Sequence, residues 1–192
     1  MGRIVFHVGY PKCGSSSLQG NLFGVHPAID YLSTNVQNAA LTEFQADPRT
    51  AEFVLSLTSA DTSACDRLRA LWAEHYMPAI REGRTTVVSE ENLLDVPPPP
   101  EEVLARIASI APDAHILVVM RDQGDVLRSY YDMYPTIGEG QERRYVTFSV
   151  WLEHALAGEL RLVERLKYAS SVAAAREIFG PNRVHVISFD GL

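Results

Sequence analysis

The sequence is short of cysteine. Only Cys13 and Cys65 occur, and neither belongs to a C-x-x-C pair or has metal-ligand spacing. That argues against a disulfide framework and against a cysteine-based zinc site, and it fits a reducing cytoplasm. The sequence is also short of positive charge. Lysine and arginine number 17 against 24 aspartates and glutamates, a net charge of −7. Nucleic-acid backbones select basic surfaces, so this balance argues against a nucleic-acid partner. A small anion would have to be held by a local site working against the overall field. No apolar run reaches the length of a membrane span. Ile4–Val8, closed by Gly9 and Pro11, is too short for a signal-peptide core. Internal repeats and long low-complexity tracts are missing as well. What remains is an ordinary globular composition over 192 residues, read here as one domain, 1–192, with a sizeable core.

Four short runs rich in β-branched residues read as buried strands: Ile4–Val8, Thr85–Ser89, Ile116–Met120 and Val184–Phe189. Helical patterns lie between them. Leu68, Leu71, Trp72, Tyr76 and Ile80 share one helical face that Gly83 closes. Pro97–Pro100 is a stiff lead into a helix over Glu101–Ile110, whose two opening glutamates suit the positive end of the helix dipole. Val150–Leu156 and Leu162–Phe179 also read as helices, with Gly180-Pro181 as a stop. Tyr31–Thr58 and Ile137–Tyr145 read as variable segments. Alternating strands and helices predict a three-layer α/β fold, a mostly parallel central sheet flanked by helices. Such sheets bind ligands beyond the carboxyl ends of their strands.

Three of the expected strands end in unusual polar residues. The first runs into Gly9-Tyr10-Pro11-Lys12-Cys13-Gly14-Ser15-Ser16-Ser17. In the common phosphate loop G-x-x-x-x-G-K-[ST] the lysine follows the second glycine; here Gly9 and Gly14 keep the spacing, Ser15 follows Gly14, and the lysine is Lys12, inside the loop. Gly14 permits close backbone approach. The serines open a helix whose amides and hydroxyls converge on an anion. The second strand runs into Ser89-Glu90-Glu91-Asn92, and the third into Arg121-Asp122, with Ser129 eight residues beyond Arg121 in the following helix. Asp122 and Gln123 are candidate caps for that helix. Arg121 can fork two hydrogen bonds to a phosphate and Ser129 can add another; the plainer alternative is an Arg121–Asp125 ion pair. Cys13 at a helix start suggests a phosphatase-like nucleophile, but Gly-Ser-Ser-Ser-Leu-Gln follows it with no arginine, so that chemistry lacks its anion clamp.

Taken together, YPKCGSSSL and the Arg121-to-Ser129 stretch resemble the sulfotransferases that use 3′-phosphoadenosine 5′-phosphosulfate (PAPS). The first resembles that family's 5′-phosphosulfate loop at Tyr10, Pro11, Lys12, Gly14, Ser15 and Ser16, with Cys13 replacing a small hydroxyl residue. The second resembles its 3′-phosphate motif, and VVSEENLL and RVHVISFDGL add to the likeness to bacterial and carbohydrate-type members. The resemblance implies a P-loop-like fold and transfer of a sulfuryl group from PAPS, with release of adenosine 3′,5′-bisphosphate (PAP), to a hydroxyl or amine of a carbohydrate or small metabolite. It implies cofactor binding by Pro11, Lys12, Cys13, Gly14, Ser15, Ser16, Ser17, Arg121 and Ser129, with Lys12 beside the bond that breaks and no metal. It also implies a catalytic base after the second strand: Glu90 first, Glu91 next, and His26 behind them. His7, inside the first strand, reads as a hydrogen-bonded core residue, and Tyr130, Tyr131 and Tyr134 as packing residues, one of which could line an acceptor pocket. Family members usually continue past the last strand into a glycine-rich basic segment, which this sequence does not show; a non-catalytic PAPS- or PAP-binding homologue is therefore one alternative. A P-loop kinase or NTPase is the other, although it needs lysine where Ser15 stands.

Overall fold

The structure is a computed structural model, and it describes residues 2–33, 47–59, 61, 63–94, 97–138, 142–160 and 166–191. In chain order the elements are β1 (Arg3–Val8), a short α1 (Ser15–Leu18) prolonged by a π-helical turn over Gln19–Phe23, β2 (Ile29–Ser33), α2 (Pro48–Thr58), α3 (Ala64–Leu71), β3 (Thr85–Glu90), α4 (Pro100–Ile110), β4 (His115–Met120), α5 (Gln123–Met133), β5 (Thr136–Ile137), β6 (Arg144–Tyr145), α6 (Phe148–Leu156), α7 (Tyr168–Phe179) and β7 (Val184–Ser188). The main sheet has five strands in the order β2-β3-β1-β4-β7, and every adjacent pair is parallel. β5 and β6 form a small antiparallel pair of their own.

The three-layer arrangement follows from the strands' composition. Phe6, His7 and Val8 are consecutive and fully buried. Successive strand residues point to opposite faces, so both faces of β1 are covered, as a parallel sheet requires. Phe6 meets Trp72 on one face, ring centroids 5.7 Å apart, within an aromatic group that includes Phe53 and Tyr76. His7 meets Phe23 of the π-helical turn on the other. The register sets His7 opposite Ser89 of β3, and Ser89 Oγ lies 2.7 Å from His7 Nδ1 while accepting from Gln19 Nε2 at 3.0 Å. His7 is thus the hydrogen-bonded core residue its strand position suggests.

Several expectations need correction. β2 is an unexpected strand and overlaps the start of the stretch read as variable. Its Asp30 interrupts the apolar pattern and is buried because Arg81 and Arg84 both donate to its carboxylate; Arg84 also donates to the Ile29 carbonyl at 2.9 Å. The guanidinium groups hold the Asp30 carboxyl below its ordinary range, the Arg81 hydrogen bond contributing most. α2 fills the end of the same stretch: Asp47 caps it, accepting from the Arg49 amide at 2.9 Å, Pro48 takes its first position, and Arg106 donates to carbonyls at its far end. The helix expected around Leu68–Ile80 is regular only over α3, then passes through a π-helical turn at Trp72–Tyr76 and a 3₁₀ turn at Met77–Ala79. α7 begins at Tyr168 rather than Leu162; residues 161–165 lie outside the described part, as do 34–46. β7 ends at Ser188, and Phe189 opens a 3₁₀ turn.

Candidate active site

The sheet order brings the three polar strand ends together. β1 lies between β3 and β4, so the loop at Gly9 is flanked on either side by the ends carrying Glu90-Glu91 and Arg121. The register pairs Val8 with Glu90, and that between β1 and β4 pairs His7 with Leu117. Carried forward, these offsets set Glu91 beside Gly9 and Arg121 beside Pro11. The contact agrees: Arg121 Nη1 donates to the Lys12 carbonyl at 3.5 Å.

The loop is tightly folded. Lys12 has φ +67°, the left-handed region that a non-glycine residue seldom adopts. Gly14 has φ +84°, and a Cβ there would lie 2.2 Å from two carbons of the Phe189 ring. Glycine is required at that position on both grounds. The Ser15 hydroxyl is buried under the loop with no hydrogen-bond partner. The amides of Ser17 and Leu18 both donate to the Gly14 carbonyl, and Ser17 Oγ accepts from Asn21 at 3.3 Å. Cys13 is fully buried; its amide donates to Tyr10 O, and its sulfur sits 3.7 Å from Tyr168 Oη. Burial pushes the Cys13 thiol up, the reverse of what a nucleophile needs.

A cleft of about 390 Å³ opens above this loop. Pro11, Lys12, Gly14, Ser15 and Ser16 line one side; Glu91, Asn92, Tyr130, Met133 and Tyr134 line the other. Of the residues singled out in the sequence, Cys13, Ser17, Glu90, His26, Arg121 and Ser129 do not line this space. Glu90 is only 7% exposed and accepts from Asn92 N at 3.2 Å and from Asn92 Nδ2 at 3.0 Å. Glu91, its neighbour, faces the cleft. His26 is exposed in a turn, accepting from Ala28 N. Of the three tyrosines in α5, Tyr130 and Tyr134 reach the cleft, while Tyr131 packs edge-on to Phe148 and Trp151 and donates to Val146 O.

At the third strand end, Asp122 caps α5, accepting from the amides of Gly124 and Asp125 at 2.9 and 3.2 Å. Gln123 is helical and instead donates to Leu166 O at 2.8 Å. The Arg121 guanidinium has carboxylates of Asp125 and Asp190 at 3.7 and 3.9 Å, beyond hydrogen-bonding range, and Phe189 beneath it at 5.5 Å. Its Nε is buried without a hydrogen-bond partner. The Arg121–Asp125 pair foreseen as an alternative therefore exists, but it leaves Nε without a hydrogen-bond partner. Ser129 is half-buried in the second turn of α5. Sequence reasoning includes Asn92 in the second strand end, and Phe189 and Asp190 in RVHVISFDGL, without giving them a role at the site, and it misses Tyr168 and Ser171, for which no local signal exists.

A second constellation lies elsewhere: Thr50 Oγ1 is 2.9 Å from His75 Nε2, and His75 Nδ1 is 3.8 Å from Asp47. Thr50 is 1% exposed, which closes it to a substrate; the group ties the start of α2 to the turn after α3. Among the described residues, no three His, Cys, Asp or Glu side chains are grouped to hold a metal ion, and no helix is long and apolar enough to cross a membrane.

Neither a family profile nor a curated relative matches the sequence. By structure the chain is similar to a sulfotransferase from Alicyclobacillus acidocaldarius, with a TM-score of 0.58 and 20% identity over 100% of this chain and 74% of that one. It also has a weaker likeness to thymidylate kinase from Candida albicans, with a TM-score of 0.43 and 10% identity over 97% of this chain and 83% of that one. The first likeness shows a shared fold: a parallel sheet flanked by helices.

Proposed function

We propose that this protein is a PAPS-dependent sulfotransferase, acting in the cytoplasm on a hydroxyl or amine of a carbohydrate or small metabolite. The observation that carries the reading is the meeting of two anion-binding groups at adjacent strand ends, joined by the Arg121–Lys12 carbonyl contact. A triphosphate presents one contiguous run of charge; two separated clusters suit a nucleotide with one anionic group on each side of its ribose. The donors fit, because Ser15 Oγ and Arg121 Nε are both buried at these ends without hydrogen-bond partners, and a buried donor left unmet costs about 1–3 kcal/mol.

In this reading Gly14, Ser15 and Ser16 hold the 5′-phosphosulfate, and Arg121 with Ser129 holds the 3′-phosphate. PAPS supplies an activated sulfuryl group. The bond between sulfur and the 5′-phosphate oxygen breaks as the acceptor oxygen bonds to sulfur. Lys12, fixed at its unusual backbone angle on the cleft wall, places its ammonium where negative charge develops on the departing oxygen. The acceptor's proton passes to a carboxylate. Glu90 is the choice from sequence order; the geometry favours Glu91, because it lines the cleft and Glu90 does not.

A sulfate-transfer assay over a panel of hydroxyl and amine acceptors tests this. Wild type should transfer sulfate from PAPS, Lys12→Ala should lose roughly 10²–10³ in rate, and Glu91→Gln should fall further than Glu90→Gln. ATP with magnesium binding more tightly than PAP, together with no transfer to any acceptor, overturns the proposal.

A further inference from the structure

The loop and the Arg121 strand end are held by more than the sheet. A single turn of chain, Leu166–Ser171 at the start of α7, touches both. On the loop side, Tyr10 Oη donates to Ser171 Oγ at 2.6 Å, Cys13 Sγ lies 3.7 Å from Tyr168 Oη, and the Tyr10 and Tyr168 rings meet with centroids 4.7 Å apart. On the other side, Gln123, two residues past Arg121, donates to the Leu166 carbonyl at 2.8 Å. Tyr10, Cys13, Tyr168 and Ser171 are 3, 0, 8 and 3% exposed, so these contacts are made away from water, where a hydrogen bond is stiffer and its loss costs more.

Lys12 stands between the two anchored loop residues. Its φ of +67° costs a non-glycine residue about 1–2 kcal/mol, and such a conformation persists only where the surroundings over-determine it. Tyr10 and Cys13 do so by being fixed to one turn of one helix.

We infer that Leu166–Ser171 is a brace that sets the spacing between the two anion subsites, with Tyr168 and Ser171 as positioning residues that hold the Lys12 loop against the Arg121 end. This rests on the sulfotransferase reading for its ligand, though not for its mechanics. Both side chains are buried against Tyr10 and Cys13, so they act on a ligand through the loop rather than by contact. Their effect is confined to ligands that must span both subsites. A ligand gripped at one end tolerates a small shift of the other; a ligand gripped at both does not, and a misplacement of about 1 Å costs up to roughly 10²-fold.

The experiment compares PAP, which carries both anions, with adenosine 5′-monophosphate, which carries one, by titration calorimetry on wild type, Ser171→Ala, Tyr168→Phe, Tyr10→Phe and the Tyr10→Phe/Ser171→Ala double variant. In parallel, amide exchange is followed at Lys12–Gly14 and at Gln123–Gly124. Ser171→Ala is expected to weaken PAP roughly tenfold and the monophosphate less than twofold. The double variant should be no worse than the more damaging single one, because the two hydroxyls act as a unit. Exchange should quicken at both strand ends in both α7 variants. Equal weakening of the two probes, or unchanged affinity for both, overturns the brace. Should wild type bind neither probe, the functional reading fails, and amide exchange alone decides the brace: faster at both ends supports it, unchanged refutes it.

Discussion

Gly14→Ala is the substitution whose cost the loop geometry fixes best. Two separate effects meet there. The backbone sits at φ +84°, where an alanine pays about 1 kcal/mol that glycine does not. The new methyl would also lie 2.2 Å from Cδ2 and Cε2 of Phe189, well inside contact distance, so the ring must move. Overpacking of this kind costs about 1–3 kcal/mol. The sum is about 3 kcal/mol, which for a chain of this size lowers the melting temperature by about 10 °C. Displacing the ring also removes the aromatic face beneath Arg121, now 5.5 Å from the guanidinium, so PAP affinity should fall as well. Urea unfolding of wild type, Gly14→Ala, Phe189→Ala and the double variant separates the two effects. Truncating Phe189 relieves the clash and leaves the backbone term, so the double variant should be less damaged than the sum of the singles by about 1–3 kcal/mol. Strict additivity would refute the placement of the ring on the loop, and a Gly14→Ala protein as stable as wild type would refute both parts of the reasoning.

Burial pushes His7 down to about 4. Between that value and its ordinary 6.5, the unfolded chain binds a proton that the folded one refuses, so the stability from neutral His7 is complete above pH 6.5 and is lost as pH falls toward 4. The shift corresponds to roughly 3 kcal/mol, and His7→Gln should remove that part of the slope of unfolding free energy against pH; a variant retaining the full slope would count against it. Asp30→Asn should cost about 2 kcal/mol at pH 7 in urea unfolding, since hydrogen bonds to a charged partner are worth more than neutral ones. Its folded pKa is lowered, so the contribution stands above pH 3.8 and disappears below it; wild-type stability for the variant at pH 7 would show that the two arginines do not hold the start of β2.

The four strands visible in the sequence share one property: consecutive β-branched residues that need no distant partner to be recognised. β2 lacks it. Asp30 can be buried only because Arg81 and Arg84 arrive from the far side of α3, and no local pattern announces such a meeting. The π-helical turn at Trp72–Tyr76 escaped for a similar reason, since its aromatic spacing reads equally well as regular helix. At the candidate site, the strand-end rule and the glycine spacing placed the loop, Arg121 and the glutamate pair. They put Glu90 ahead of Glu91, whereas Glu91 is the one that lines the cleft. Neighbouring residues at a strand end point in opposite directions, and the sequence alone does not say which direction is the cleft. Nor did it show that Cys13 faces inward or that Ser17 pairs along the helix, because those orientations depend on Tyr168 and on Asn21.

The Asp30–Arg81–Arg84 cluster grips β2 and β3 at their beginnings, whereas the cleft lies beyond the strands' opposite tips. Anchorage and chemistry are thus kept at different poles of the sheet. Met133 and Tyr134, on the cleft's outer wall, are 49% and 51% exposed, so they can be rewritten with little penalty to folding. If the proposed sulfate transfer holds, a library confined to those two positions is the natural route to redirecting acceptor choice, because the part of the molecule that keeps the strands aligned never sees the change.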